Sequence, residues 1–464
     1  MRNGVHLITY VDRLGGGDLS ALGELLTGPL QGVFTGVHLL PFFHPYDGAD
    51  AGFDPIDHTS VDPRLGGWED VARLGETHDV TADLIVNHIS RESPRFLDYL
   101  LHGDGSPHAG MFLAYGDVFP DGATEGDLVR IYRPRPGLPF TAVTLADGSR
   151  RLLWTTFTSG QIDLDVSDPG AMRYLGEVLD HQAGAGVRQV RLDAVGYAVK
   201  TPGTSCFMTD ETRSFIRRLG SEIRARGMES LLEIHSHYSD QVDTAATVDR
   251  VYDFALPPLV LFGLYTGSAE PLRRWLEISP RNAVTVLDTH DGIGVIDIGP
   301  AGDREGLLST EQIDDLVEGI HSATGGESRL ATGAAASNLD LYQVNSTYYS
   351  ALGGDGDRYL LARLLQLLCP GIPQVYYAGL LAMPNDMELL SRTGVGRDIN
   401  RPYLDRESIT QSLERPVVRR LLGLIRFRNT HPAFGGRFHL GEGSEGVLHL
   451  RWEAAEASID ARLD

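Results

Sequence analysis

The chain has 464 residues, of which 42% are hydrophobic, and this predicts a globular protein with a sizeable core. A formal net charge of -23 repels nucleic-acid phosphates and anionic lipid, so we expect neither as a partner. The sequence has only two cysteines, Cys206 and Cys369, which are far apart and lack metal-ligand spacing. A disulfide framework is therefore not expected. No signal-peptide core opens the chain, and the apolar segment 360–372 is too short to span a bilayer. We expect a cytoplasmic protein.

Short apolar segments alternate with helical patterns, which predicts repeated βα units. The predicted strands are Val5–Thr9, Gly36–Leu40, Ala82–Asn87, Val187–Asp193, Ser230–Glu233, Val251–Phe254, Ala283–Asp288 and Gln374–Tyr377. Eight strands are what a closed parallel barrel needs, so the fold class is α/β, a (β/α)8 TIM barrel. The clearest helix has Asp168 as its cap, Pro169 at its first position and Gly184 at its end. Its apolar stripe is Met172, Leu175, Val178 and Leu179.

Two intervals are too long for simple loops. Residues 88–166, rich in Gly and Pro, predict an inserted domain after strand three, and residues 291–349 predict an inserted segment after strand seven. The barrel then comprises residues 1–87, 167–290 and 350–429. Residues 430–464 predict a short C-terminal β domain that looks truncated. We expect one strand at Val447–Trp452, whereas Ser458–Asp464 looks too short to add another.

Three carboxylates follow apolar strand patterns. Asp193 ends strand four, Glu233 ends strand five, and Asp291 is expected to close strand seven. The carboxyl ends of parallel barrel strands share one mouth, where two carboxyl groups can attack and protonate a glycosidic bond. The pattern therefore predicts sugar chemistry.

The neighbours of these acids suggest different roles. Arg191 shares a strand face with Asp193 and would hold it ionised, as a nucleophile requires. Glu233 follows two leucines, which favours a general acid. Asp291 could stabilise positive charge on the sugar, and His88 could donate to the same sugar. Taken singly, each residue also fits a structural ion pair or a core histidine.

A metal centre is not predicted. The histidines near the strand ends show neither a helical His-Glu-x-x-His pattern nor nearby cysteine ligands.

Four segments resemble the signature regions of the α-amylase superfamily, glycoside hydrolase family 13: Asp83–His88, Arg191–Tyr197, Leu232–His235 and Val286–Asp291. Five further segments resemble the sucrose phosphorylase family within it: Asp47–Pro55, Ile131–Phe140, Asp288–Gly294, Ala334–Asn345 and Gly396–Arg401.

This resemblance implies roles for individual residues. Asp193 would be the nucleophile, Glu233 the acid/base and Asp291 the transition-state stabiliser. Residues of the glucose pocket would be Asp50, His88, Arg191, His290 and Arg397, with Phe53 and Phe157 as an aromatic wall. Residues of the acceptor side would be Tyr197, His235, Asp340, Leu341 and Gln343, with Arg135 and Tyr342 on mobile loops that serve fructose and phosphate in turn.

The resemblance also implies the reaction: retaining transfer of glucose from sucrose to phosphate, giving α-D-glucose 1-phosphate and D-fructose. Phosphate would be a co-substrate, and no cofactor or metal is expected. A homodimer is left open. The alternatives are a sister phosphorylase acting on sucrose 6′-phosphate, glucosylglycerol or glucosylglycerate, a retaining hydrolase or transglucosidase, and a non-catalytic sugar-binding relative. The last class typically lacks one carboxylate, whereas this chain has all three.

Overall fold

The structure, a computed structural model, describes residues 1–134, 137–332, 343–443 and 446–463. Within these ranges eight strands close into a parallel barrel, and they follow one another around it in chain order. Each of them overlaps one predicted strand, so the (β/α)8 fold class is confirmed.

The strands are β1 (His6–Thr9), β2 (Gly36–Leu39), β3 (Phe43–His44), β4 (Asp57–Val61), β5 (Asp79–Ile85), β6 (His88–Ser90), β7 (Phe140–Thr144), β8 (Arg150–Trp154), β9 (Gln161–Asp163), β10 (Gln189–Asp193), β11 (Glu229–Leu232), β12 (Arg250–Asp253), β13 (Ala283–Thr285), β14 (Ile293–Gly294), β15 (Gln343–Val344), β16 (Ile372–Tyr376), β17 (Arg437–Leu440), β18 (Leu448–Glu453) and β19 (Ser458–Leu463).

The helices are α1 (Leu19–Thr27), α2 (Ala49–Gly52), α3 (Trp68–Gly75), α4 (Pro94–His102), α5 (Tyr115–Val118), α6 (Glu125–Arg130), α7 (Pro169–Gly184), α8 (Asp210–Ala225), α9 (Tyr238–Ala245), α10 (Leu256–Thr266), α11 (Glu270–Ile278), α12 (Thr310–Ala323), α13 (Glu327–Ala331), α14 (Tyr348–Ala351), α15 (Gly356–Leu368), α16 (Tyr377–Leu380), α17 (Met387–Thr393), α18 (Arg406–Glu414) and α19 (Pro416–Thr430).

The chain divides into two compact units, which are described in turn. The first unit comprises Met1–His38, Thr77–Asp79 and His235–Asp464, and the second comprises Leu39–Glu76 and Val80–Ile234.

In the second unit, β10 pairs in parallel with β5 on one side and β11 on the other. The predicted helix before β10 is α7, and its Asp168 cap accepts hydrogen bonds from the backbone N–H groups of Gly170 and Ala171. The predicted stripe is buried except at Met172, which is only partly buried. Gln182 Nε2 of this helix donates to the Asp83 carbonyl at 2.8 Å, so the helix packs against β5.

A small apolar core lies in the second unit. It contains Leu113, Val118, Phe119, Ile131 and Trp154 of the interval predicted as an inserted domain, and Cys206 from beyond that interval. The antiparallel pair β7–β8 supplies Trp154 to it. The inserted domain, with bounds at residues 88 and 166, stays a prediction.

Lys200 is the one lysine in the sequence, and it is buried in the second unit. Its Nζ donates to Asn87 Oδ1 at 2.8 Å and to the Tyr197 carbonyl, and it lies 2.8 Å from Asp163 Oδ2. Asn87 follows β5, Asp163 is the last residue of β9, and Tyr197 follows β10. A single ammonium therefore neutralises a fully buried carboxylate and joins three segments.

In the first unit, β12, β13, β16 and β1 pair in parallel in that order. Strand β13 ends at Thr285, so Asp291 lies in the following loop. The prediction that Asp291 closes strand seven was therefore wrong. Glu233 is likewise the first residue after β11, whereas Asp193 is the last residue of β10.

The C-terminal residues form an antiparallel sheet in the order β17–β18–β19. Residues Ser458–Leu463 pair along the whole of β18, so the prediction that they add no strand was wrong. In β18, Leu448, Leu450 and Trp452 are buried on one face, as their alternation predicts. The Trp452 indole N–H donates to the Leu368 carbonyl at 2.7 Å, which anchors the sheet to α15.

Candidate active site

One buried arginine in the second unit binds two of the predicted catalytic carboxylates. Arg191 donates from Nη1 to Asp193 Oδ1 at 2.9 Å, and its Nη2 lies 2.9 Å from Glu233 Oε1. Its side chain is 2% exposed. Because both carboxylates contact one planar guanidinium, their side chains are held side by side at the ends of β10 and β11.

Asp83 is a third carboxylate on the same guanidinium, and the sequence analysis did not single it out. It is fully buried on β5 and accepts a hydrogen bond from Arg191 Nη1. The parallel register places Asp83 directly beside Arg191, and this register is the signal that could have identified it. Buried carboxylates need such a partner because an unpaired charge is costly in the interior.

The backbone after Asp193 also holds Glu233. Ala194 has a φ of 52°, in the left-handed region, and it ends β10 immediately after the predicted nucleophile. Its backbone N–H donates to Glu233 Oε2 at 3.3 Å. Both oxygens of Glu233 therefore have a partner within this unit.

Aromatic residues surround His88 in the second unit. The rings of His88 and Phe157 lie 5.3 Å apart, and Phe157 packs edge-on against Tyr197 at 5.2 Å. The Arg191 guanidinium lies over the Phe53 ring at 5.4 Å. The structure thus brings Phe53, His88, Phe157 and Tyr197 together near Arg191.

The contacts of His88 place a proton on its Nε2. This nitrogen lies 3.0 Å from the Phe53 carbonyl and 3.2 Å from Gln161 Nε2, and the carbonyl oxygen can only accept a hydrogen bond. Burial lowers the pKa of His88. Its buried Nδ1 has no hydrogen-bond partner among the described residues, so it is available to accept from a ligand hydroxyl.

Asp50 is an exposed residue of the four-residue segment α2, whose backbone angles at Asp50 and Ala51 are not those of a right-handed helix. Asp50 and Ala51 have φ values of 50° and 53°, and Gly52 has a φ of 89°. Burial, followed by the nearby charge of Asp50, raises the pKa of Asp54 to about 7. The loop therefore combines backbone strain with two close carboxyl groups.

In the first unit, Asp291 is buried among positive charges. Its Oδ1 lies 2.8 Å from Arg397 Nη1, 3.8 Å from His290 Nε2 and 3.9 Å from Arg401 Nη2. Burial alone would raise the pKa of Asp291, but Arg397, His290 and Arg401 outweigh it and hold this pKa well below its usual range. Asp291 is therefore an anion at neutral pH.

The end of the short helix Gly396–Asn400, together with Arg401 after it, fixes the loop that carries Asp291. Asn400 Nδ2 donates to the Asp291 carbonyl at 2.7 Å, and Arg401 Nε donates to the His290 carbonyl at 2.8 Å. The sequence analysis named Arg397 in this segment but missed Asn400 and Arg401. Both residues lie in the segment Gly396–Arg401, which resembles the family. That resemblance did not indicate that they bind the backbone carbonyls of His290 and Asp291.

Gln343 connects Arg397 to the loop after β13. Its Oε1 accepts from the Gly292 N–H at 3.1 Å and lies 3.5 Å from Arg397 Nη2. The strand pair β14–β15 places it there. The predicted acceptor residues Arg135, Asp340, Leu341 and Tyr342 lie outside the described residues.

His235 is held between an aromatic ring and two carboxylates of the first unit. It stacks on Phe254 with 4.0 Å between ring centroids, and its Nδ1 lies 3.5 Å from Asp297 Oδ2. A ring nitrogen of His235 also lies within 4.8 Å of an Asp291 carboxylate oxygen. The ring has a fixed plane and an anionic environment.

Among known proteins, the chain is 60% identical over 453 residues to a sucrose phosphorylase of Agrobacterium vitis, covering 97% of this chain and 93% of that protein. It is 54% identical over 464 residues to a sucrose phosphorylase of Bifidobacterium adolescentis, covering 99% and 92%. The crystal structure of sucrose 6F-phosphate phosphorylase from Thermoanaerobacter thermosaccharolyticum has a TM-score of 0.92 and 38% identity, covering 100% and 94%.

A scan against protein-family models found no match. In the part of the chain that the structure describes, no helix combines the length and the apolar character needed to cross a bilayer.

Proposed function

The chain belongs to the sucrose phosphorylase family of the α-amylase superfamily, and we propose that it transfers glucose from sucrose to phosphate, releasing D-fructose and α-D-glucose 1-phosphate. The observation that carries this proposal is the Arg191 guanidinium, which binds Asp193 and Glu233 at 2.9 Å each. A retaining mechanism requires a nucleophile and an acid/base about 5–5.5 Å apart. That Asp193 and Glu233 share one guanidinium supports this pair of roles.

In the first half-reaction, Asp193 attacks the anomeric carbon while Glu233 protonates the departing fructose oxygen. The carbon–oxygen bond to fructose breaks as the bond to Asp193 forms, giving a β-glucosyl-enzyme. Arg191 favours the anionic form of Asp193, because a close positive charge stabilises a carboxylate. Asp83 shares the guanidinium and keeps it oriented along β10.

In the second half-reaction, Glu233 acts as a base toward the incoming phosphate. A phosphate oxygen attacks the anomeric carbon as the bond from this carbon to Asp193 breaks. Each half-reaction inverts the configuration, so the two together give net retention. Asp291 stabilises the positive charge that develops on the sugar in both steps. The arginines around Asp291 support this role, since they keep it ionised.

The glucose pocket comprises Asp50, Phe53, His88, Phe157, Arg191, His290 and Arg397. The sequence analysis expected His88 to donate to the sugar. Here its Nδ1 instead accepts a hydrogen bond from a sugar hydroxyl, because its Nε2 proton is directed to the Phe53 carbonyl. Phe53 and Phe157 provide an apolar wall that discourages water, which favours transfer to phosphate over hydrolysis.

Phosphate must bind to a protein of formal net charge -23, so local cations are essential. Arg135 grips it with paired donors and alternates with Tyr342 in serving fructose and phosphate. The acceptor side is completed by Tyr197, His235, Asp340, Leu341 and Gln343.

The reaction needs no cofactor and no metal ion, and phosphate is a co-substrate. The buried free thiols Cys206 and Cys369 support a reducing, cytoplasmic location.

The test is to incubate the protein with sucrose, with and without inorganic phosphate, and to identify the products by NMR. We expect phosphate-dependent release of fructose with formation of the α-anomer of glucose 1-phosphate. The β-anomer, glucose as the main product in the presence of phosphate, or a preference for sucrose 6′-phosphate would overturn the assignment.

A further inference from the structure

Asp297 is a buried carboxylate that the proposed mechanism does not use. It lies in the short helix Ile296–Ile298 and is fully buried. Its Oδ1 accepts from the Ser236 N–H at 3.2 Å and from Gln241 Nε2 at 3.0 Å. These donors are neutral, and no arginine or lysine of the described residues forms an ion pair with Asp297.

The second oxygen of Asp297 is directed to His235. Asp297 Oδ2 lies 3.5 Å from His235 Nδ1, with no hydrogen-bond partner of its own among the described residues. A buried carboxylate needs a compensating charge, and a protonated imidazole at this position supplies one. An imidazole that carries a proton at Nδ1 would form an ion pair with Asp297 across this 3.5 Å contact.

The surroundings of His235 reinforce this charge. Stacking on Phe254 fixes the ring plane, and Asp291 lies within 4.8 Å of a ring nitrogen. Among the described residues of the first unit, the carboxylates near the imidazole include Asp297 and Asp291, Arg397 is bound to Asp291, and His237 interacts electrostatically with Asp297. Glu233 is two residues earlier in the chain.

The absence of a side chain at Gly294 leaves room for the contact between Asp297 and His235. A Cβ at this position would lie 3.0 Å from Asp297 Oδ2 and 3.8 Å from His235 Nδ1. Gly294 belongs to β14, which pairs with the strand that carries Gln343 of the acceptor side. A side chain here would crowd Asp297 away from its present position.

We propose that Asp297 is a positioning residue for the acceptor step, which orients His235 and keeps it cationic so that it binds the incoming phosphate. This inference rests on the proposed function and goes beyond it, because it assigns to a residue outside the glucose pocket the selection of phosphate over water. Formation of the glucosyl-enzyme does not depend on it.

The test compares Asp297→Asn with the matched control Asp303→Asn, an exposed residue of the same inserted segment. We expect D297N to lower kcat/KM for phosphate about tenfold, while hydrolysis of sucrose without phosphate is retained. The alkaline limb of its phosphate pH profile moves to lower pH, because the imidazole loses its proton more easily without the carboxylate. D303N behaves like the wild type.

Two further variants separate positioning from folding. In a His235→Gln background, adding D297N costs no further activity toward phosphate if Asp297 acts through His235. Gly294→Ala reproduces the loss toward phosphate while leaving both side chains present. Additive losses in the double variant, or equal loss of phosphorolysis and hydrolysis with an unmoved pH profile, overturn the inference.

The failure of the inference is distinct from failure of the proposed function. A wild-type chain that makes no α-glucose 1-phosphate contradicts the proposed function. A wild-type chain that makes it, with D297N indistinguishable from D303N, contradicts only the role of Asp297.

Discussion

At Arg191, three carboxylates meet one guanidinium. Asp83, Asp193 and Glu233 all contact it in the buried part of the second unit. A planar group with several fixed donors can serve them simultaneously, whereas a point charge on a flexible stem cannot. The arginine therefore fixes the relative positions of the proposed nucleophile and acid/base.

Replacing Arg191 by Lys should lower kcat/KM for sucrose by about 10²-fold or more, because small displacements of reacting groups have effects of that size. Arg188→Lys is the control, since Arg188 is exposed and precedes the same strand. Steady-state kinetics on both variants provide the measurement. An unchanged kcat/KM in R191K would contradict this role for the guanidinium.

At the scale of elements, the position of Asp291 depends on residues far away in the chain. Strand β13 ends at Thr285, and the loop beyond it is held by Asn400 and Arg401 through backbone carbonyls. Local sequence patterns carry no information about such contacts. This explains why the motif was recognised while its place in the strand was predicted wrongly.

The barrel strands were predictable because buried parallel strands are short continuous apolar segments. The last strand, Ser458–Leu463, was missed because Ile459, Ala461 and Leu463 form only a weak alternating pattern, and pairing with β18 stabilises it. Asp83 was overlooked for a related reason. Its importance depends on the register between β5 and β10, which one strand alone does not specify.

The loop that carries Asp50 should be sensitive to pH. The pKa of Asp54 is raised to about 7, so the folded chain keeps a proton that the unfolded chain releases at lower pH. Stability is therefore lost as the pH rises toward 7 and through it. Asp54→Asn should remove this loss, giving a higher melting temperature than the wild type at pH 8 and little difference at pH 4.

Thermal unfolding of D54N across this pH range provides the check, with Asp121→Asn as an exposed control in the same unit. If D54N and the wild type lose stability in parallel between pH 4 and pH 8, the ionisation of Asp54 is not the cause.

On the scale of the whole molecule, basic side chains are almost all arginine, and the one lysine is buried. Lys200→Met should lower the free energy of unfolding by about 3–5 kcal/mol, because Asp163 is left as an uncompensated buried charge. Arg420→Met is the matched control. Its partner Asp357 is exposed, so this change should cost at most about 1 kcal/mol.

Denaturant unfolding of both variants measures these free energies. A Lys200 variant that is no less stable than the Arg420 variant would show that the buried ion pair does not stabilise the fold.

The most direct test of the proposed chemistry is capture of the glucosyl-enzyme. Glu233→Gln retains the nucleophile but cannot donate a proton, so α-D-glucosyl fluoride, whose leaving group needs little protonation, should still react. Mass spectrometry of the digested protein should then find one anhydroglucose unit on the peptide that contains Asp193. Absence of the adduct, or its attachment to another carboxylate, would contradict Asp193 as the nucleophile of a retaining mechanism.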